Sequence, residues 1–282
     1  AATDANNGWW YLYAEDYYYN TNATVSVYLD TVKPVGNVRN SSGTAIANGG
    51  YTNKAICYTA TDTGGVKTYE YKTPSSSSWQ TYTSGTYVSG GNGWYTFRAT
   101  DKASNVSDEY RVYYDASTPS GTLYGGTTSK TSGSYTNAEY VRYVASNSYS
   151  GIANCYVKMP NTSYYTSYTS GSQLTAEGTY SFYCTSRAGT SSATVTITLD
   201  KTKPVGTLYG GTNVVANNGY TNAAYVRFLA TDRTAMSAYV KKPGSSAYVS
   251  YSLGAQFTEE GTYSFYVTDA ASNRSDTYTI TL

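Results

Sequence analysis

The sequence predicts an all-β chain of tandem antiparallel sandwiches, and three observations carry that reading. The chain repeats itself about every 85 residues: Asp30-Thr-Val-Lys-Pro34 returns as Asp115-Ala-Ser-Thr-Pro119 and again as Asp200-Lys-Thr-Lys-Pro204. A solenoid unit runs roughly 20–50 residues, so this longer period suits a small domain with its own core. Strand formers dominate: Tyr alone supplies 36 of 282 residues, whereas Leu, Met and Glu are scarce. Gly, Ser, Asn and Pro separate short alternating runs, as turns between strands require.

The elements follow in order through the third copy. Residues 206–209 suit a first strand, and 225–230 a second with Val226, Phe228 and Ala230 on one face. The other copies keep that face as Ile56, Tyr58, Ala60 and as Val141, Tyr143, Ala145. A third strand at 238–241 ends at Pro243-Gly-Ser, and 248–251 and 256–258 are weaker edge candidates. The clearest strand is 262–268, with Tyr263, Phe265 and Val267 pointing inward by the period-two rule. A turn at 271–273 leads to the last strand at 277–282. Seven strands with no room for crossover helices imply two packed antiparallel sheets.

The period sets the organisation: complete repeats at 31–115, 116–200 and 201–282, preceded by 1–30 as the last two strands of another copy. Gly93-Trp-Tyr-Thr-Phe97, repeated from Gly178 and Gly261, reaches back in phase to Gly8-Trp-Trp-Tyr-Leu12. We therefore expect an excised piece of a longer protein. A lone hairpin at 8–30 is marginal in water and exposes Trp9, Trp10 and Tyr11, either because its neighbours are missing or because it docks on a partner.

Composition excludes several function classes. The net charge is +1 with 13% charged residues, so there is no electrostatic footprint for nucleic acid or anionic membrane. No apolar run approaches the ~20 residues that span a bilayer. Histidine is absent, which removes the commonest general base and zinc ligand together. Recurrent carboxylates could flank a glycosidic bond, but they sit in repeated loops, and we expect no enzyme.

Ala60-Thr-Asp62 and Ala230-Thr-Asp232, the Asp-Thr-x-Lys-Pro entry, and Gly-x-Tyr-x-Phe followed by Asp-x-Ala-Ser-Asn (101–105 and 269–273) form an ordered set. In this order they resemble the bacterial immunoglobulin-like repeats of gut Firmicutes surface proteins. The resemblance covers the chain from about residue 8. It implies an immunoglobulin-like sandwich in an extracellular, wall-attached or secreted protein, serving as stalk, adhesin or ligand-binding unit, with no catalytic residues. By type and source it also points to immunoglobulin-binding superantigens, whose partner is an antibody variable domain.

Acids recur at two loop positions, Asp62 and Asp232 and then Asp101 and Asp269, which such a sandwich places at one end. The middle copy has Asn147 and Ser186 instead, and joint loss suggests that the two positions work together. With the linker acids Asp30, Asp115 and Asp200 they would suit calcium, which takes ~6–8 oxygen ligands. The plainer reading is that they cap turns through backbone amides, so we assign no metal or other cofactor.

Cys155 and Cys184 occupy inward registers on the third and sixth strands of the middle copy, in line with Ala238 and Val267. A cross-strand disulfide fits, and so do two buried thiols. Cys57 takes the opposite face of its strand. Lys33 and Lys203 recur near the entry but the middle copy has Thr118, and no carboxylate triplet for a Lys–Asn isopeptide repeats with them. Triplets such as Asn22-Ala-Thr24 and Asn105-Val-Ser107 match a glycosylation pattern that a bacterial source leaves unmodified.

Tyrosine is the best functional clue. Tyr17, Tyr18, Tyr19, Tyr164, Tyr165, Tyr168, Tyr248 and Tyr251 fall in loops or on outward registers. Tyr with Ser, Gly and Asn is the composition of antibody paratopes, where rigid rings give contact area at low entropic cost. We expect a non-enzymatic module that binds a host protein, with Trp9, Trp10 and the tyrosines at 17–19, 164, 165 and 168 as contacts. The alternative is a structural stalk, in which Tyr serves only as a strand former.

Overall fold

The computed structural model describes residues 7–21 and 24–282. These residues contain no helix, and the fold is all-β with tandem sandwiches. By backbone contacts the described chain divides into two compact units that cut across the sequence period. One comprises the residues up to Pro119 with Ser146–Ala153 and Thr185–Ser192, and the other comprises the remainder.

Each repeat contributes one three-stranded and one five-stranded sheet. In the third copy, Asn213–Val215, Val205–Gly210 and Val226–Thr231 are neighbours in that order. Its larger sheet runs Gly219–Tyr220, Tyr278–Thr281, Thr262–Asp269, Met236–Lys241, Val249–Tyr251. Between the two sheets lie Leu208, Val226, Phe228, Val240, Tyr263, Phe265, Val267 and Ile280. The first copy builds the same core from Val38, Ile56, Tyr58, Tyr95, Phe97 and Val112.

The pairing departs from the expected purely antiparallel sandwich. One short strand per repeat runs parallel to the last strand: Gly50–Thr52 beside Tyr110–Tyr114, Ser134–Thr136 beside Val195–Leu199, Gly219–Tyr220 beside Tyr278–Thr281. The chain leaves the smaller sheet through a turn and adds this strand to the edge of the larger one, which extends it without a hairpin. These strands and Asn213–Val215 are too short to show alternation in sequence. The expected strand at 256–258 is only a bridge from Phe257 to Val226.

Three rings fill the centre of each copy. Tyr58 stacks on Phe97 at 5.2 Å, Tyr143 on Phe182 at 5.3 Å and Phe228 on Phe265 at 5.3 Å. Tyr82, Tyr168 and Tyr251 meet the same phenylalanines at 5.4, 5.2 and 5.7 Å. Tyr168 is thus a core residue rather than a surface contact, 8% exposed. Its hydroxyl accepts from the Tyr143 amide at 3.0 Å and donates to the Ser172 carbonyl at 2.6 Å, which lets an edge tyrosine face inward at no polar cost.

A glycine on the first strand makes room for the central ring. A Cβ at Gly121 would lie 2.2 Å from the Tyr143 ring, and one at Gly206 would lie 2.2 Å from Phe228.

Candidate functional site: two carboxylate triads and two tyrosine clusters

The recurrent acids converge. Asp30, Asp62 and Asp101 bring carboxylate oxygens within 4.8 Å of one another, and so do Asp200, Asp232 and Asp269. In each set the first acid comes from the linker before a repeat, the second from the loop after Ile56–Thr61 or Val226–Thr231, and the third from the end of Gly93–Asp101 or Thr262–Asp269.

Turn capping accounts for part of this geometry. Asp62 Oδ1 accepts the amides of Gly64 and Gly65 at 2.8 and 3.1 Å. Asp101 accepts the Asn105 amide and side chain, both at 2.8 Å, and Asp269 holds Asn273 at 2.7 and 2.8 Å. The same asparagines lash down the linkers: Asn105 Nδ2 donates to the Asp30 carbonyl at 2.9 Å, Asn273 Nδ2 to that of Asp200 at 2.7 Å.

Capping leaves a remainder. Oδ2 of Asp30, of Asp62 and of Asp200 is buried without a hydrogen-bond partner. Asp30 is 8% exposed and Asp200 fully buried. Burial pushes the Asp200 carboxyl up, and the charges of Asp232 and Asp269 add to it, against the Thr202 amide and the Thr234 hydroxyl. An open cleft of about 440 Å³ adjoins the first triad, lined by Trp9, Tyr28, Asp30, Thr63, Gly64, Lys102 and Ala103.

The middle copy rebuilds this joint from neutral groups. Its loop from Asn147 to Ile152 is one residue longer than 62–66 or 232–236, and the extra residue is Ser150. Ser150 gives both its amide (3.1 Å) and its hydroxyl (2.5 Å) to Asp115 Oδ2, the oxygen left bare in the other two copies. Ser117 gives its amide and hydroxyl to Oδ1 at 2.8 and 2.5 Å. Burial opposes ionisation of Asp115, but these bonds outweigh it and hold the carboxyl below its ordinary value. Ser186 and Thr190 replace the aspartate–asparagine pair, with Thr190 Oγ1 donating to the Ser117 carbonyl at 2.7 Å.

A second feature lies on the outer faces of the larger sheets. Tyr156 stacks on Tyr183 at 4.8 Å while Tyr165 meets Tyr183 edge-on at 4.9 Å. Tyr239 stacks on Tyr266 at 4.8 Å and Tyr248 meets it edge-on at 4.8 Å, with Arg274 over Tyr266 at 3.9 Å. The first copy places an Arg98–Glu70 ion pair of 2.7 Å there, with Arg98 and Lys72 over Trp79 at 4.0 and 4.3 Å. Sequence reading found Tyr165 and Tyr248 but missed their partners, which sit in the strands; their signal is the outward register opposite Val157, Phe182, Val240 and Phe265.

Of the remaining expected residues, Trp9, Trp10, Tyr17, Tyr18, Tyr19 and Tyr164 are exposed, Tyr17 the most at 92%. Trp9 meets Tyr28 edge-on at 5.3 Å across the hairpin of Gly8–Leu12 and Val25–Leu29. Cys155 and Cys184 are both buried; burial, helped by the nearby Cys184, pushes the Cys155 thiol up. Cys57 is buried too, although its register is outward. Lys33 and Lys203 form exposed ion pairs with Asp108 (3.2 Å) and Asp276 (3.8 Å), far from the buried setting an isopeptide bond needs. Asn105 is taken up by the joint, and Asn22 lies outside the described residues.

No helix among the described residues is long and apolar enough to cross a membrane. No protein-family model matches the chain, and no curated protein is similar to it. Among solved structures, the fibronectin(III)-like modules of Clostridium thermocellum CbhA match at 18% identity and a TM-score of 0.27, over 58% of this chain and 94% of theirs. A Bacteroides ovatus mixed-linkage glucan utilization locus protein, SGBP-B in complex with a mixed-linkage heptasaccharide, matches at 13% identity and a TM-score of 0.15, over 89% of this chain and 69% of its own.

Proposed function

We propose that this chain is a non-enzymatic binding segment of a bacterial cell-surface or secreted protein that recognises a host protein through the outer faces of its larger sheets. The repeats 31–115, 116–200 and 201–282 are its domain units, each supplying one sheet of either kind. The observation that carries the reading is the recurrence of three contacting tyrosines at one place in two copies (156, 165, 183 and 239, 248, 266). Rings that pack on each other lose little freedom when a partner arrives, which favours tight binding. The first copy keeps the place and changes its chemistry to Arg98, Glu70 and Trp79, as one scaffold presenting different contacts would do.

An antibody variable domain is the partner to test first. The immobilised chain is exposed to antibody Fv fragments and then to host mucus proteins, with Tyr183→Ser plus Tyr266→Ser as control. Retention that the double variant loses at least tenfold supports the reading, and retention indifferent to it moves the surface elsewhere. No retention at all favours a structural stalk. That second reading rests on Asn105 and Asn273, which fasten the linkers at Asp30 and Asp200.

A further inference from the structure

We propose that the two aspartate triads are calcium sites, and that the middle repeat carries a cation-free version of the same joint. Three carboxylates within 4.8 Å of one another, most of them buried, repel unless something positive stands among them. Among the described residues no cationic side chain forms an ion pair with either triad. Lys33 and Lys203 pair with Asp108 and Asp276 instead. Lys102 reaches over Gly65, where a Cβ would lie 3.2 Å from its Nζ, yet it forms no ion pair with the triad.

Independent of the clustering, a fully buried carboxylate leaves one oxygen bare. Asp200 Oδ2 has no donor, and Asp30 Oδ2 repeats that state in the other triad. Buried polar atoms are rarely left so, and the same oxygen orphaned twice at equivalent places points to a missing ligand. The middle copy supplies the control. Where the second and third acids are Asn147 and Ser186, an inserted Ser150 brings two donors to the corresponding oxygen of Asp115. Either a cation or Ser150 completes the linker aspartate, and no copy has both.

The donor set names the ion. All ligands are carboxylate oxygens, with neither His nor thiolate at hand, so a hard cation fits. Calcium accepts irregular shells from flexible loops, whereas magnesium demands a near-octahedral one and sheds water reluctantly. A bound ion would fasten each linker to the two loops that meet it.

The test titrates the chelator-treated full chain with CaCl2 by calorimetry. We expect two ions per chain, at the roughly 0.1–1 mM affinity of extracellular modules, and weaker uptake of MgCl2. Asp62→Asn and Asp232→Asn should each remove one ion, and together both, with the β-sheet circular dichroism retained. Should a variant not fold, hydrogen exchange on the unaltered chain decides. Calcium should slow the amides of Val32 and Thr202 and leave that of Ser117 unchanged. No uptake at about 10 mM calcium, uptake surviving in the double variant, equal protection of all three amides, or a third ion in the middle copy would each overturn the assignment.

Discussion

Ser150 places its hydroxyl 2.5 Å and its amide 3.1 Å from the same carboxylate oxygen of Asp115, and this one inserted residue satisfies the linker carboxylate whose counterpart oxygen is bare in the other two copies. Ser150→Ala should therefore destabilise the middle repeat by about 1–3 kcal/mol, the cost of removing a hydrogen bond to a buried charge. The pH dependence follows from the depressed carboxyl of Asp115. A folded-state pKa below the unfolded one contributes stability that is present above the unfolded value and lost as pH falls through the folded value. The variant raises the folded value towards the ordinary one, so its stability should fade at a higher pH than that of the unaltered chain. Calorimetry between about pH 3 and 7 reads this, and identical acid limbs would refute it.

The two triads differ in one neighbour. Lys102 stands beside the first, while its counterpart in the third copy is Ala270. If calcium binds, a nearby ammonium competes with it through charge repulsion, so Lys102→Ala should tighten the first site and leave the second untouched. We expect a several-fold change at low salt, shrinking as salt screens it. Titration of the variant in the Asp232→Asn background isolates the first site, and an unchanged affinity there would show that Lys102 points away.

Three tyrosines fill one core position, and only one of them lacks a hydrogen-bond partner. The hydroxyl of Tyr82 accepts from the Tyr58 amide at 3.0 Å, and that of Tyr168 accepts from the Tyr143 amide at 3.0 Å. The Tyr251 hydroxyl is buried without a partner, and burial pushes its pKa up. Tyr168→Phe should cost about 1–3 kcal/mol because it strands the Tyr143 amide and the Ser172 carbonyl. Tyr251→Phe should be neutral or stabilising by up to about 1 kcal/mol, since it deletes an unpaid desolvation. Thermal unfolding of the two variants side by side checks the sign.

Much of this was legible in the sequence, for a physical reason. A 262–268 strand with Tyr263, Phe265 and Val267 inward follows from period-two alternation, and all three are buried. The acids at 62, 101, 232 and 269 were visible as recurring positions, and their convergence with Asp30 and Asp200 follows from the fold. Tyr168 was misread because alternation marks a face only in long strands, and Thr166–Tyr168 is three residues at an edge. Ser150 was missed because its meaning is a register: one extra residue in a loop shows only when copies are aligned against a structure. Tyr183 and Tyr266 were hidden for the opposite reason, as outward residues in strands otherwise read for their buried face.

The glycine beneath each central ring separates crowding from backbone strain. A Cβ at Gly121 would lie 2.2–2.4 Å from Tyr143, whose ring is buried and stacked on Phe182 at 5.3 Å. The ring has nowhere to go, because its far side is that phenylalanine and its hydroxyl is held at 3.4 Å from the Cys184 sulfur. Gly121→Ala should thus force strand and ring apart and cost about 1–3 kcal/mol or more. Gly43→Ala is the contrast: its φ of 81° disfavours a side chain, but nothing lies within 4 Å of the added carbon. That change should cost only about 1 kcal/mol, through the left-handed backbone alone. If the two variants melt alike, the close approach of strand and ring does not constrain the core, and the recurrence of glycine at 36, 121 and 206 needs another cause.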